Sequence, residues 1–158
     1  STQAKDKRSY YHHTEIGYNY RMSNVLAAIG LGQMEVIEDH IKRTREINQI
    51  YRDEVGEYFW DFQNERGNDR SNMWLTCALM KGEYQPQDLI EHLANDSIEA
   101  RRIWKPMHQQ PIMSKYIKYI NGTADTLFKQ GICLPSGSNM DSKDMKRIIK
   151  SIKTFFEK

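Results

Sequence analysis

Ile37, Ile41, Thr44, Ile47, Tyr51, Val55, Tyr58 and Phe62 follow one another at steps of three and four. That spacing stacks them on one face of a helix, and Lys42, Arg43, Arg45, Arg52, Asp53 and Glu54 fall largely elsewhere. Upstream, Ser23 is a good N-cap residue, and NVLAAIGLGQ (24–33) is apolar on most faces. The spacing therefore predicts a long helix, or two in succession, over 23–62. Four small residues, Ala27, Ala28, Gly30 and Gly32, sit near its start. A glycine inside a helix costs about 1 kcal/mol relative to alanine, so two of them imply close approach by another helix, a subunit or a ligand. A chain of 158 residues that commits so much length to helix has room for one modest domain. At that size about 70% of the unfolded surface can be buried, so no staples are required.

The remaining segments are shorter. A polar run with Gly67 (QNERGNDRSN, 63–72) precedes MWLTCALM (73–80), which has the length and content of a buried strand. Pro86 opens a short helix with Leu89, Ile90 and Leu93 on one face, and IEARRIW (98–104) reads as a second strand. Pro106 and Pro111 bracket an irregular stretch. A helix over 124–130, a short strand over 132–134 and the turn PSGSNM follow. Asp141 then caps a last helix, whose stripe is Met145, Ile148, Ile149, Ile152, Phe155 and Phe156. The order predicts an α+β domain, with helices covering a small antiparallel or mixed three-stranded sheet and a long N-terminal helix. Residues 1–22 read as an arm and 23–158 as the domain. The chain opens without Met in mid-composition, as a piece of a longer protein does.

Lys and Arg number 23 against 21 Asp and Glu, both signs mixed, which lacks the basic footprint usual for nucleic-acid binders. No run approaches the roughly 20 apolar residues of a membrane helix, so neither a membrane nor nucleic acid is expected as partner, and a cytoplasmic location is the default. Cys77 and Cys133 stand in apolar runs without CxxC or histidine spacing, the pattern of reduced, buried thiols. His12, His13 and Glu15 lack a third ligand at useful spacing, so no metal site is assigned. Ser136-Gly137-Ser138 lacks a nucleophile-turn context and reads as a plain turn.

Two stretches carry the donors that a phosphorylated ligand needs. In GYNYR, Gly17 permits close backbone approach, Asn19 offers an amide and Arg21 a planar guanidinium, just ahead of a helix N-terminus. The tyrosines there leave open either base stacking or packing of the arm. In WKPMHQQP, Trp104 supplies a flat apolar face, Lys105 a point charge and His108 a group that titrates near neutrality.

HHTEIGYNYRMSNVLAAIGLGQME, RRIWKPMHQQP and GICLPSGSNM together resemble the C-terminal part of the DegT/DnrJ/EryC1/StrS family of pyridoxal-phosphate-dependent nucleotide-sugar aminotransferases. The segments stand in family order across about 130 of the 158 residues. The resemblance implies the small C-terminal domain of a fold-type I aminotransferase, working as a homodimer with composite active sites. It implies that Asn19 reaches the cofactor phosphate of the partner subunit, with Tyr18 and Arg21 close to cofactor or substrate. It places Trp104, Lys105 and His108 on the sugar-nucleotide side, with His13 facing the site. The implied reaction moves an amino group, commonly from glutamate, to a keto-sugar carried on a nucleotide, for surface glycans or related products. The Schiff-base lysine and the carboxylate at the pyridine nitrogen belong to the family's large domain, so no residue here is assigned a catalytic role and the chain alone is expected to be inactive. A sugar dehydratase or a regulatory relative on the same fold remains open, as does a non-catalytic phosphate- or nucleic-acid-binding module.

Overall fold

The computed structural model describes residues 16–157 and divides the chain into two compact units, Ser1–Ile37 and Glu38–Lys158. The division falls within the long helix α1 (Asn24–Val55). In the first unit, residues 16–22 have no regular secondary structure. Ser23 then caps α1: its hydroxyl accepts from the Leu26 amide at 3.3 Å, and its carbonyl accepts from Ala27 at 2.9 Å. Every described residue of this unit is solvent-exposed, including Val25, Leu26, Ile29, Leu31 and Met34.

The second unit is α+β. After α1, a single 3-10 turn (Gly56–Tyr58) leads into β1 (Phe59–Phe62), followed by β2 (Thr76–Met80), α2 (Pro86–Asn95), β3 (Arg101–Arg102), α3 (Thr123–Gln130), β4 (Gly131–Leu134) and α4 (Ser142–Phe156). The sheet has four strands in the order β1-β2-β4-β3, every neighbouring pair antiparallel. The fourth strand is β1, whose Phe62 continues the helical spacing in sequence but lies beyond the end of α1. Trp60 forms a bulge in it, where the register with β2 shifts between Phe59 and Asp61.

The core lies between the sheet and three helices. Ile47, Tyr51 and Val55 of α1, Leu89 and Leu93 of α2, and Met145, Ile148 and Ile152 of α4 are buried with Phe59, Phe62, Ala78, Met80, Ile132 and Leu134. Alternation along β2 sends Thr76, Ala78 and Met80 inward and leaves Cys77 and Leu79 half-buried on the other face. Asp141 closes a capping box on α4: its carboxylate accepts from the Lys143 and Asp144 amides at 2.7 and 2.9 Å, and Asp144 accepts from the Asp141 amide at 3.1 Å. Gly131 has a steric reason to be glycine. A Cβ there would fall 2.6 Å from the Leu127 carbonyl and against the Ile103 side chain, where α3 runs directly into β4.

Buried polar groups tie the elements together. The Tyr51 hydroxyl donates to the Pro135 carbonyl at 2.8 Å, and burial pushes its pKa well above the usual phenol value. Ser136 is also structural: it accepts from the Thr76 amide at 2.8 Å and donates to the Leu134 carbonyl at 2.8 Å. A buried amide such as Thr76's would otherwise cost about 1–3 kcal/mol unpaired.

Candidate functional site

In the first unit, the Asn19 side-chain oxygen accepts from the Arg21 amide at 3.1 Å. This local turn uses the acceptor end of the amide and leaves its NH2 end as a donor. Tyr18 and Tyr20 stand with ring centroids 5.9 Å apart, and Tyr18, Asn19 and Arg21 are all exposed. The set that results is an amide donor, a phenol and a guanidinium within four consecutive positions. His13, with His12 and Glu15, lies outside the described residues.

In the second unit, Trp104 follows β3 and faces Trp74, with ring centroids 6.1 Å apart. Both rings are exposed, and they border a cavity of about 430 Å³ that Arg101, Cys133, Pro135 and Ser136 also line. Trp74 is held at the mouth by its position just before β2, where its amide donates to the Asn72 side chain at 3.3 Å. Two flat apolar faces can stack on a planar ring. Glu99, Arg101 and Arg102 also line the cavity, with Arg101 paired to the Glu99 carboxylate at 2.8 Å and Arg102 donating to the Phe128 carbonyl.

His108 sits in a 3-10 turn (Met107–Gln109) that follows Pro106. Its Nε2 donates to the Asp125 carboxylate at 2.7 Å, and the Gln109 side-chain amide donates to the same oxygen. These bonds, Gln109 first and His108 second, hold Asp125 below the usual carboxylate range. An ionised Asp125 fixes the proton on Nε2 and presents Nδ1 as the remaining polar atom of the ring. Lys105 is exposed between Trp104 and this turn and does not line the cavity. The structure thus separates the sequence-derived trio: Trp104 borders the cavity, while His108 is paired on α3.

Three participants escaped the sequence reading. Trp74 reads in sequence as part of the 73–80 strand, Arg101 has no periodicity to mark it, and Asp125 is 17 positions from the histidine it holds. Cys77 and Cys133, expected as reduced, buried thiols, are both free; Cys133 is buried, Cys77 only half-buried, and the two sulfurs face each other across β2 and β4 at 3.6 Å. Ser138 has a histidine neighbour, His40 Nδ1 at 2.7 Å, but no carboxylate hydrogen-bonds His40 among the described residues, so the arrangement stops at a pair. No group of three metal-ligating side chains occurs among the described residues. No helix there is long and apolar enough to cross a membrane.

The chain has counterparts among known proteins. The model of the DegT/DnrJ/EryC1/StrS aminotransferase family matches residues 1–153. The chain is 37% identical, over 99% of its length and 42% of the relative's, to a protein of Bacillus subtilis (strain 168) described as the putative pyridoxal phosphate-dependent aminotransferase EpsN. It is 36% identical, over 92% of its length and 40% of the relative's, to a GDP-perosamine synthase of Escherichia coli O157:H7. Among solved structures, Helicobacter pylori PseC, an aminotransferase involved in the biosynthesis of pseudoaminic acid, superposes with a TM-score of 0.82 at 20% identity, covering 99% of this chain and 44% of that one. That likeness shows the fold. The chain belongs to the DegT/DnrJ/EryC1/StrS aminotransferase family and spans about two fifths of the length of the curated relatives it matches.

Proposed function

We propose that this chain forms the small C-terminal domain of a pyridoxal-phosphate-dependent aminotransferase, with residues 1–22 as an arm and 23–158 as the domain. Its acceptor would be a nucleotide-linked keto-sugar, its amino donor an amino acid such as glutamate, and its setting the cytoplasm. The observation that carries this reading is the family match over residues 1–153, with GYNYR placed directly before α1.

The donors at the arm fit a phosphate. Asn19 offers its amide NH2, Arg21 a permanent positive charge and Tyr18 a phenol, and a phosphate dianion is an acceptor that such groups bind well. These three residues would hold the phosphate of pyridoxal phosphate, in the active site of the partner subunit of a homodimer. When bound, that cofactor supplies a carbonyl that takes up the amino group and a ring that draws off electrons. Trp104, Lys105 and His108 would bind and orient the sugar nucleotide, His108 through Nδ1 and Lys105 by charge. His13 is placed on the same side by the resemblance. The exposed apolar start of α1, with its small residues, would serve as contact surface in the assembled enzyme.

None of the residues here is assigned the covalent or proton-transfer step. The role derived for the chain is to bind the phosphate, to wall the substrate and to exclude water. The test is to purify the protein encoded by the reading frame that carries this chain, and to ask whether borohydride traps pyridoxal phosphate on a lysine and whether glutamate nitrogen appears on a nucleotide-linked keto-sugar. Both are expected, with Asn19→Ala retaining the cofactor roughly 10- to 100-fold less tightly, the loss of one hydrogen bond to a charged group. Bound cofactor without trapping would replace this reading with the dehydratase-like relative. Absence of cofactor would remove it altogether.

A further inference from the structure

The two cysteines of the chain occupy opposed positions in the sheet, and their backbone shows which kind of opposition it is. The Cys77 carbonyl accepts from the Gln63 amide at 3.0 Å, so its polar backbone groups point toward β1. On β4, the Gly131 carbonyl accepts from the Ile103 amide at 3.3 Å, on the β3 side, and Cys133 two residues on shares that orientation. Neither cysteine turns its backbone toward the other. Cys77 and Cys133 are therefore a non-hydrogen-bonded pair, the kind in which facing Cα atoms come within about 4.5 Å. Disulfides span Cα separations of about 4.4–6.8 Å, so this pair lies at the short end of the bridgeable range. The sulfurs are already 3.6 Å apart.

We propose that Cys77 and Cys133 are a reversible modification site, a cross-strand dithiol that a peroxide oxidises to an intramolecular disulfide and that small thiols reduce again. Cys77 is the attacking sulfur. It is the more exposed of the two, and the hydrogen bond from the Cys133 thiol lowers its pKa. Cys133 is buried, and that same interaction and its burial push its pKa up, which suits the resolving partner. In the first step the Cys77 thiolate attacks a peroxide oxygen: an S–O bond forms, the O–O bond breaks, and hydroxide leaves. In the second step the Cys133 sulfur gives up its proton and attacks the Cys77 sulfur: the S–S bond forms, the S–O bond breaks, and a second hydroxide leaves. Two thiols and one peroxide give one disulfide and two waters, the two electrons passing from sulfur to oxygen.

A bridge at the short end of the bridgeable range, half-exposed on the Cys77 side, stays open to attack by small thiols. Reversal by ordinary thiols follows from its place in the sheet. Cys133 also lines the cavity that Trp74 and Trp104 border, so bridge formation alters the wall beside two indoles.

The purified protein is treated with hydrogen peroxide under native conditions, quenched, and examined by intact mass, thiol titration in denaturant and non-reducing peptide mapping. Expected are the loss of two hydrogen masses, the joint disappearance of both thiols, one cross-linked peptide pair carrying Cys77 and Cys133, reduced tryptophan emission, and full reversal by dithiothreitol. Persistent thiols, oxygen adducts on single cysteines, or links between molecules would overturn the proposal. In Cys133→Ser, Cys77 is expected to stop at a sulfenic acid that dimedone captures. In Cys77→Ser, Cys133 is expected to react about tenfold or more slowly. Equal rates in the two variants would overturn the assignment of Cys77 as the attacking sulfur, and if either variant fails to fold, the peptide map of the unaltered protein still decides.

Discussion

Ile29 and Ile47 stand on the same 32-residue helix, yet the first is 58% exposed and the second is fully buried. Both stretches of α1 are rich in apolar residues, so hydrophobic content does not separate them. The difference lies in what the rest of the second unit supplies. Beside Ile47, Tyr51 and Val55 are a sheet face and two amphipathic helices, and polar ties reinforce the fit: Arg43 donates to the Met140 carbonyl at 2.8 Å, Thr44 to the Asn72 carbonyl at 2.5 Å, and Tyr51 to Pro135. In the first unit, no described side chain is buried. Among the described residues, buried packing is therefore concentrated in the second unit.

Matched truncations give that comparison its strongest test. Ile47→Ala removes a fully buried side chain and leaves a hole in the core cluster to which Tyr51, Leu89 and Met80 also belong, at an expected cost of about 2–5 kcal/mol in urea unfolding. Ile29→Ala, the same change on the exposed stretch, is expected to stay within about 0.5 kcal/mol. Equal losses at both positions would dissolve the distinction. A smaller effect comes from the helix that covers the buried stretch. Asp141→Ala deletes the acceptor for two amides of α4 and is expected to cost about 1 kcal/mol in the same measurement, with Asp141→Asn recovering most of it. No loss in the alanine variant would mean that packing of Met145, Ile148 and Ile152 sets the start of α4 without help from its cap.

The same contrast explains what was legible beforehand. Helices whose caps and stripes are local in sequence read correctly: Ser23 and Asp141 at N-caps, Pro86 in the first turn of α2, and the last stripe on α4. The α+β class followed from their order. β1 escaped because Tyr58 and Phe62 keep the helical spacing, and four residues are too few to show alternation against it. With β1 unseen, three strands were expected where four pair. At the candidate site, Trp104 and His108 stood out by chemistry, but their partners did not. Asp125 and Trp74 reach them only through the fold, and the thiol pair depends on a register linking positions 56 apart. Family likeness supplied the reading of Asn19, which no period marks.

The smallest expected effect concerns the loop pinned to α1 just inside the second unit. Arg45 donates to both oxygens of Glu65 at 2.6 and 2.9 Å, and the Ser71 amide donates to the same carboxylate at 2.5 Å. These contacts, the Arg45 bond first, bring the Glu65 pKa down to about 2 from its ordinary 4.5. A carboxyl depressed by folding stabilises the folded state above its unfolded pKa, and that contribution is lost as pH falls through the folded value. The pair therefore adds nothing pH-dependent between pH 5 and 8, and its contribution declines from about 4.5 down toward 2. Exposure and salt keep it small, as for most surface ion pairs. Carboxyl-carbon NMR is expected to show Glu65 titrating near 2, and Arg45→Ala to return it toward the ordinary range. A midpoint near 4.5 in the unaltered protein would show that this loop is not held to α1 in solution, and would move the start of the well-packed stretch further along the helix.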